Sequence, residues 1–320
     1  MRSTRSTACL SRATLIVAAG ALAACGGGAP TPAGTSSAAV TSSSSSATGT
    51  TSTSNSATTP PTTPAVTPAT TPTATPSTLT GLPIYFVGHS AGSLKLFREF
   101  RTARKIDGPI SSAVSAMTRL RPLDPDYVNP WRPASRVWVG QRGSTLTVDI
   151  SADAFANTNV GSELAARAVQ QLVYTATAAA HDAGHDATSV IITVAGKPAD
   201  AWGVIGLGVP MERAPMVEVQ AHAWITGPQE GDVVRTGTVT FRGYGTSFEG
   251  TFAWRVMRAD GGRVADGSVM GGTGTGGFGE LRWAVHLAPG SYIVRLATDD
   301  PSGGAAPGGA AVDTKTFTVR

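Results

Sequence analysis

Residues 26–80 contain almost nothing but Ser, Thr, Ala, Pro and Gly, in runs such as TSSSSSATGTTSTSNSATTPPTTPAVTPATTPTATPS. A stretch with so little apolar bulk cannot offset the entropy of ordering its backbone, so a disordered tether is expected. Folding is thereby confined to the chain that follows. A flexible segment of about 55 residues averages roughly 40–45 Å end to end, and its prolines extend it further. Ser and Thr interspersed with Pro is also the composition of O-glycosylated stalks.

What precedes the tether explains it. Residues 1–12 carry Arg2, Arg5 and Arg12 and no acid, and residues 13–24, ATLIVAAGALAA, are apolar and uncharged. A basic start and a short apolar run read as an export signal, since a membrane span needs about 20 apolar residues. Leu22-Ala23-Ala24-Cys25 matches the lipobox of bacterial lipoproteins, which makes Cys25 the lipid attachment residue and the first mature one. Each buried CH₂ contributes roughly 0.8 kcal/mol, so two or three acyl chains hold stably where one does not. The expected location is the outer face of the cell membrane.

Cysteine and charge counts narrow the classes further. The only cysteines are Cys9, inside the signal, and Cys25, so neither a disulfide framework nor a thiolate metal site is expected. The formal charge of +4 includes Arg2, Arg5 and Arg12; without them 22 basic residues face 21 acidic ones. A basic footprint for nucleic acid is therefore absent from the mature chain.

Four segments result: signal 1–24, linker 25–80, an α/β domain 81–214 and an all-β domain 215–320. In the first domain Ile84–Val87 and Leu94–Phe100 are expected strands and Ile110–Leu120 a helix, and SRVWVGQRGSTLTVDIS reads as a hairpin with Leu146, Val148 and Ile150 facing inward. Residues 162–180 form the clearest helix, with Glu163, Arg167, Gln170, Tyr174 and Thr177 as its polar face and Ser162 as its cap. SVIITVAG follows as a strand. From 215 onward seven strand-like runs, beginning with VEVQAHAWI and separated by Gly, Pro and Asp, occupy about 105 residues, the signature of an immunoglobulin-like sandwich, here without its disulfide. Asp260-Gly261 marks a hairpin turn.

LPIYFV, LKLFREFR, STLTVDIS, QQLVYTATA and SVIITVAGK, in that order, resemble the GerMN domain of spore-germination proteins and of actinobacterial lipoproteins. ITGPQEGDVV, VTFRGYGTSFEGTFAWRV and FGELRWAVHL are similar to the immunoglobulin-like domain that often follows it. The resemblance implies an α+β fold related to ring-building modules, a role at the cell envelope and no catalytic residues; it does not imply that the organism sporulates.

Residue by residue, the chemistry is sparse. Gly88-His89-Ser90-Ala91-Gly92 spells the G-x-S-x-G elbow of esterases, and Asp200 and His222 supply an acid and a histidine in the required order. Only one strand precedes Ser90, however, and Leu94-Lys95-Leu96 alternates like a strand where an elbow needs a helix. Gly88 and Gly92 are expected to bend the chain there. His181 and His185 are four apart, as helical metal ligands are, but Gly184 interrupts and no third ligand is placed, so a polar helix terminus is expected and no metal. Asp124 and Asp126 suit loop capping, Asp149 a solvated strand face, and Glu249 a turn. MGGTGTGGFG, residues 270–279, lacks the lysine and helix of a phosphate loop and reads as a sandwich loop. Trp138, Trp224, Trp254 and Trp283 fall in strands as core or sheet-face residues. Trp131 and Trp202 lie in Pro- or Gly-rich loops and are the candidate interaction residues.

The expectation is a non-enzymatic, lipid-anchored envelope protein that binds or scaffolds at the cell wall, with no cofactor. Its partners are the membrane through lipidated Cys25 and envelope proteins or cell-wall glycan, with a homo-oligomer left open. The alternatives are a secreted serine hydrolase using Ser90 and an extracytoplasmic sensor with a small ligand between its domains.

Overall fold

A computed structural model describes residues 77–273, 275–299 and 309–320; the expected signal, Cys25 and nearly all of the tether lie outside the described residues. The first module opens on β1 (Thr78–Ser90), three residues before the expected boundary at 81. Its run Leu82–Val87 is buried on both faces, which is why it is continuously apolar rather than alternating. β1 turns directly into β2 (Ser93–Arg104) through Ala91 and Gly92, with φ of 47° and 75°. Two successive positive φ values make the two-residue turn whose twist matches antiparallel strands. Phe86 lies opposite Phe97, and Ser90 opposite Ser93.

α1 (Pro109–Arg119) starts with Pro109, whose absent N–H would have been unpaired in the first turn. β3 (Tyr127–Val128) adds to the other edge of β1 for two residues only. Beyond it the β1 backbone is completed by side chains from a helix. Thr175 Oγ1 accepts from Tyr85 N–H at 3.2 Å, and Gln171 Nε2 donates to the Tyr85 carbonyl at 2.8 Å. These two polar residues, one helical turn apart, are fully buried for that reason.

β4 (Val137–Arg142) and β5 (Thr145–Ile150) form the expected hairpin. A crossover through α2 (Ser162–Asp182) then brings β6 (Ser189–Val194) parallel to β5. The N-cap of α2 is Gly161, not Ser162, and no side chain caps it. Tyr174 and Thr177, expected on a polar face, are buried, because the helix is covered on all sides from Gln171 to Ala180. The small alanines of this stretch allow α1, β1 and β2 to pack closely around it. β7 (Asp200–Ala201) and β8 (Ile205–Gly206) make a small hairpin, and β9 (Pro210–Glu212) completes the order β4-β5-β6-β9.

The segment expected as the first sandwich strand is divided. α3 (Met216–Val219) is a single turn, and only Ala223–Gly227 is strand, β10. The sandwich continues with β11 (Val233–Val234), β12 (Gly237–Gly245), β13 (Thr251–Arg258), β14 (Arg263–Met270), β15 (Gly279–Leu287), β16 (Gly290–Thr298) and β17 (Val312–Val319). Its sheets run β10-β12-β15 and β11-β17-β16-β13-β14. Phe241, Phe252, Val256, Leu281, Trp283, Val294, Leu296 and Phe317 fill the space between them. The fold is thus an α+β domain followed by an all-β immunoglobulin-like sandwich, as expected. Among the described residues no helix is long and apolar enough to cross a membrane.

Candidate functional site

The two modules meet along the outer edge of β2 and the loop that follows α1. Leu96 accepts from the Ala221 N–H at 3.1 Å, so the linker pairs with the strand edge. Further along, Gln229 of the sandwich presents its side-chain amide to Phe100 as another strand would, accepting from its N–H at 2.6 Å and donating to its carbonyl at 3.0 Å. Lys95 donates to the Val217 and Glu218 carbonyls at 3.1 and 2.8 Å and closes the end of α3. Burial beside Arg167 lowers its pKa.

The centre of this seam is charged. Asp313 and Lys315 alternate inward on β17 with Phe317 and Val319, so both point into the open end of the sandwich. Lys315 Nζ contacts Asp124, donates to Tyr127 Oη at 2.6 Å and to Asp313 Oδ1 at 2.9 Å, and is 3% exposed. Tyr127 Oη donates to Asp313 Oδ1 at 2.8 Å, and Asp313 Oδ2 accepts from the Ile225 N–H at 2.6 Å. Burial pushes the Tyr127 phenol well above its ordinary pKa, and the neighbouring Asp313 adds to this. Lys315 is held above the ordinary lysine value: burial opposes its charge, but Asp313 and Asp124 outweigh it. Asp124 was expected to cap its loop. It does, accepting from Asp126 N–H at 2.8 Å, and its other oxygen makes the inter-module contact. That second role was invisible locally, because Lys315 lies 191 residues away.

Beside the seam lie two hollows that share Arg98. The larger, about 530 Å³, is lined by Tyr85, Thr177, His181, Glu212 and Arg213. Arg213 donates to Thr177 Oγ1 at 2.7 Å and lies over the Tyr174 ring, whose phenol burial pushes up to about 12. The smaller, about 150 Å³, is lined by Thr226, Arg242, Tyr244, Glu280 and Arg282. Arg98 stacks over Phe100 at 5.0 Å, and its buried Nε has no hydrogen-bond partner. Arg242 and Arg282 stand directly opposite each other on β12 and β15. Among the described residues, none of these three guanidiniums has a carboxylate within 4.0 Å.

The residues singled out in the sequence fall elsewhere. Ser90 ends β1, is 5% exposed, and its hydroxyl has no partner; His222 instead contacts the Val217 carbonyl. The G-x-S-x-G match spans a strand end and a hairpin turn, with no helix after the serine. Gly92 does bend the chain, but Gly88 does not: it is mid-strand, where a Cβ would come within 2.9 Å of the Phe97 and Tyr127 rings. His181 and His185 belong to a helix C-cap. Gly184 has φ of 78°, its N–H bonds the His181 carbonyl, and the His185 N–H bonds the Ala180 carbonyl, both at 2.9 Å. No group of three metal-ligating side chains occurs among the described residues.

Asp149 is not solvated. It is 7% exposed and accepts from Gly196 N–H at 2.6 Å and Thr193 Oγ1 at 2.8 Å, with Arg136 at 2.6 Å. Burial alone would raise its pKa, but these donors hold it below the usual carboxylate range. Glu249 lies in the exposed turn between β12 and β13.

Trp131 and Trp202 come together, with ring centroids 4.9 Å apart, and Phe155 lies 5.1 Å from Trp131. Trp131 is 3% exposed, so it is a core residue rather than an exposed stacking platform. Trp202 is half-buried at a φ of 47°, sparse for an aromatic residue. Trp224 is buried as expected, but toward the first module, with Tyr244 5.1 Å away. Trp138 lies on a sheet face, half exposed.

Residues 83–200 match the family described as sporulation and spore germination, and residues 222–305 match the immunoglobulin-like domain of bacterial spore germination. No curated protein matches the chain. Similar solved structures include CopC from Methylosinus trichosporium OB3b, 23% identical over 31% of this chain and 93% of that one with a TM-score of 0.23. Others are an engineered protein, 15% identical over 47% of this chain and 36% of its own (TM-score 0.24), and a double mutant of Cellulomonas fimi endo-β-1,4-mannanase, 18% identical over 48% and 35% (TM-score 0.20). At these TM-scores nothing about ligands follows from the likeness. The chain carries a spore-germination (Germane) module followed by a spore-germination immunoglobulin-like module.

Proposed function

We propose that this is a lipid-anchored envelope protein whose two-module head binds or scaffolds, without catalysis, in the cell-wall layer. The observation that carries the reading is the tandem of germination-family modules behind a lipobox cysteine, Cys25, and a Ser/Thr/Pro tether. The seam adds support, since a strand-edge linker and an enclosed ion cluster join the modules into one head. A head joined in this way presents a surface with contributions from both modules, as a scaffold needs.

The anchor is tested by fractionation. Cys25→Ser is expected to move the protein from the membrane to the soluble fraction; retention at the membrane overturns the anchor. Binding is tested by co-sedimentation of that soluble protein with isolated cell wall and by pull-down from envelope extract. Capture of neither favours the small-ligand sensor. Labelling by a fluorophosphonate that disappears in Ser90→Ala favours the hydrolase.

A further inference from the structure

Three arginines converge on the 150 Å³ hollow, from β2 of the first module and from β12 and β15 of the second. Directly opposed like charges on neighbouring strands are destabilising. Here the Arg242–Arg282 pair is joined by Arg98 rather than relieved by an acid. Glu280 is the single carboxylate on the lining, it lies opposite Tyr244, and it pairs with none of the three within 4.0 Å. Arginine at such a place is a rigid, positively charged fork of donors with no acceptor.

We propose that Arg98, Arg242 and Arg282 bind a phosphate group. A carboxylate has two oxygens, which one guanidinium satisfies in a bidentate pair; three forks arriving from separate strands suit the four oxygens of a tetrahedral anion. Tyr244 and Thr226 add hydroxyls to the same lining. Arg98 also lines the 530 Å³ groove with Arg213 and His181, which leaves room for the body of a molecule that carries the phosphate. The site requires both modules, so it exists only while the seam is closed. It rests on the envelope reading in that a phosphodiester polymer of the cell wall and free phosphate are the two sources of this chemistry.

The full-length protein in detergent, titrated with inorganic phosphate and with a glycerol phosphodiester at constant ionic strength, tests this by calorimetry and thermal unfolding. Both heat and a rise in Tm are expected, weakening with added salt. Arg242→Gln and Arg282→Gln are each expected to weaken binding by about tenfold or more, the loss of a charge-assisted hydrogen bond. Arg242→Gln is also expected to raise Tm in low-salt, phosphate-free buffer by relieving the opposed pair, whereas a merely structural arginine would lower it. A phosphodiester that binds at least as tightly as phosphate identifies a polymer as the source, and preference for inorganic phosphate identifies the free anion; either supports the site. Absence of binding by both at millimolar concentrations, or binding unchanged in both variants, overturns it. Such a failure leaves the anchor and cell-wall tests untouched, since those depend on Cys25 and on fractionation.

Discussion

The junction holds two kinds of cation, and the fold treats them oppositely. Lys315 is enclosed, with Asp124, Asp313 and the Tyr127 hydroxyl around it. Arg242 and Arg282 are exposed and face one another. A buried charge stripped of water is tolerable only when its partners are supplied by the protein. Lys315 meets that condition so completely that it has no donor to spare. The arginines keep solvent contact, tolerate the repulsion, and have donors available. The contrast teaches that charge at a module seam is structural where its partners are built in and available for recognition where they are not.

The sharpest way to break that contrast is to remove the enclosed cation. Lys315→Ala is expected to cost about 3–5 kcal/mol, because it strands two buried carboxylates. Chemical denaturation is the measurement, and a loss below 1 kcal/mol, the range of exposed ion pairs, would erase the distinction from the arginines.

A smaller effect comes from pH. The folded pKa values of Lys315 and Tyr127 lie above their ordinary values of 10.5 and 10.0. Folding therefore tightens the hold on these protons, and the resulting stability is fully present below about pH 10. It is lost as pH rises through the folded values. Thermal unfolding between neutral pH and the alkaline range should show the decline beginning only above about pH 10, and Tyr127→Phe should blunt it.

Ser90→Ala has the smallest expected effect, within about ±0.5 kcal/mol, and sharpens the contrast from its neutral end. Its hydroxyl is buried, uncharged and unpartnered, so nothing is lost with it. A larger loss would mean that the hydroxyl has a role the geometry does not provide.

How much of this was legible depended on sequence distance. Periodicity located α1, α2, the β4–β5 hairpin and the sandwich strands, because each buries a face within a few residues. Asp260-Gly261 marked its turn, since positive φ leaves few residue choices. The same logic explains the error at VEVQ, where alternation suggested a strand but the linker coils once before joining the sandwich. Gln171, Thr175 and Gln229 carried no signal. Each looks like an ordinary polar residue until a backbone edge is seen beside it. The arginine hollow was equally hidden, since its members are distributed over β2, β12 and β15.

By itself, then, the sequence determined the fold class of the α+β and immunoglobulin-like modules and which short motifs lack their context. Those properties follow from composition and local apolar pattern, whose energies are summed over neighbours along the chain. Only the tertiary structure decided what the polar residues do. Whether Ser90 lies in an elbow or a hairpin, whether Asp149 is solvated, and whether Lys315 or Arg242 is paired all depend on burial and on partners up to 191 residues away. An electrostatic interaction is set by distance in space and by the surrounding dielectric, and neither quantity is written in the local sequence.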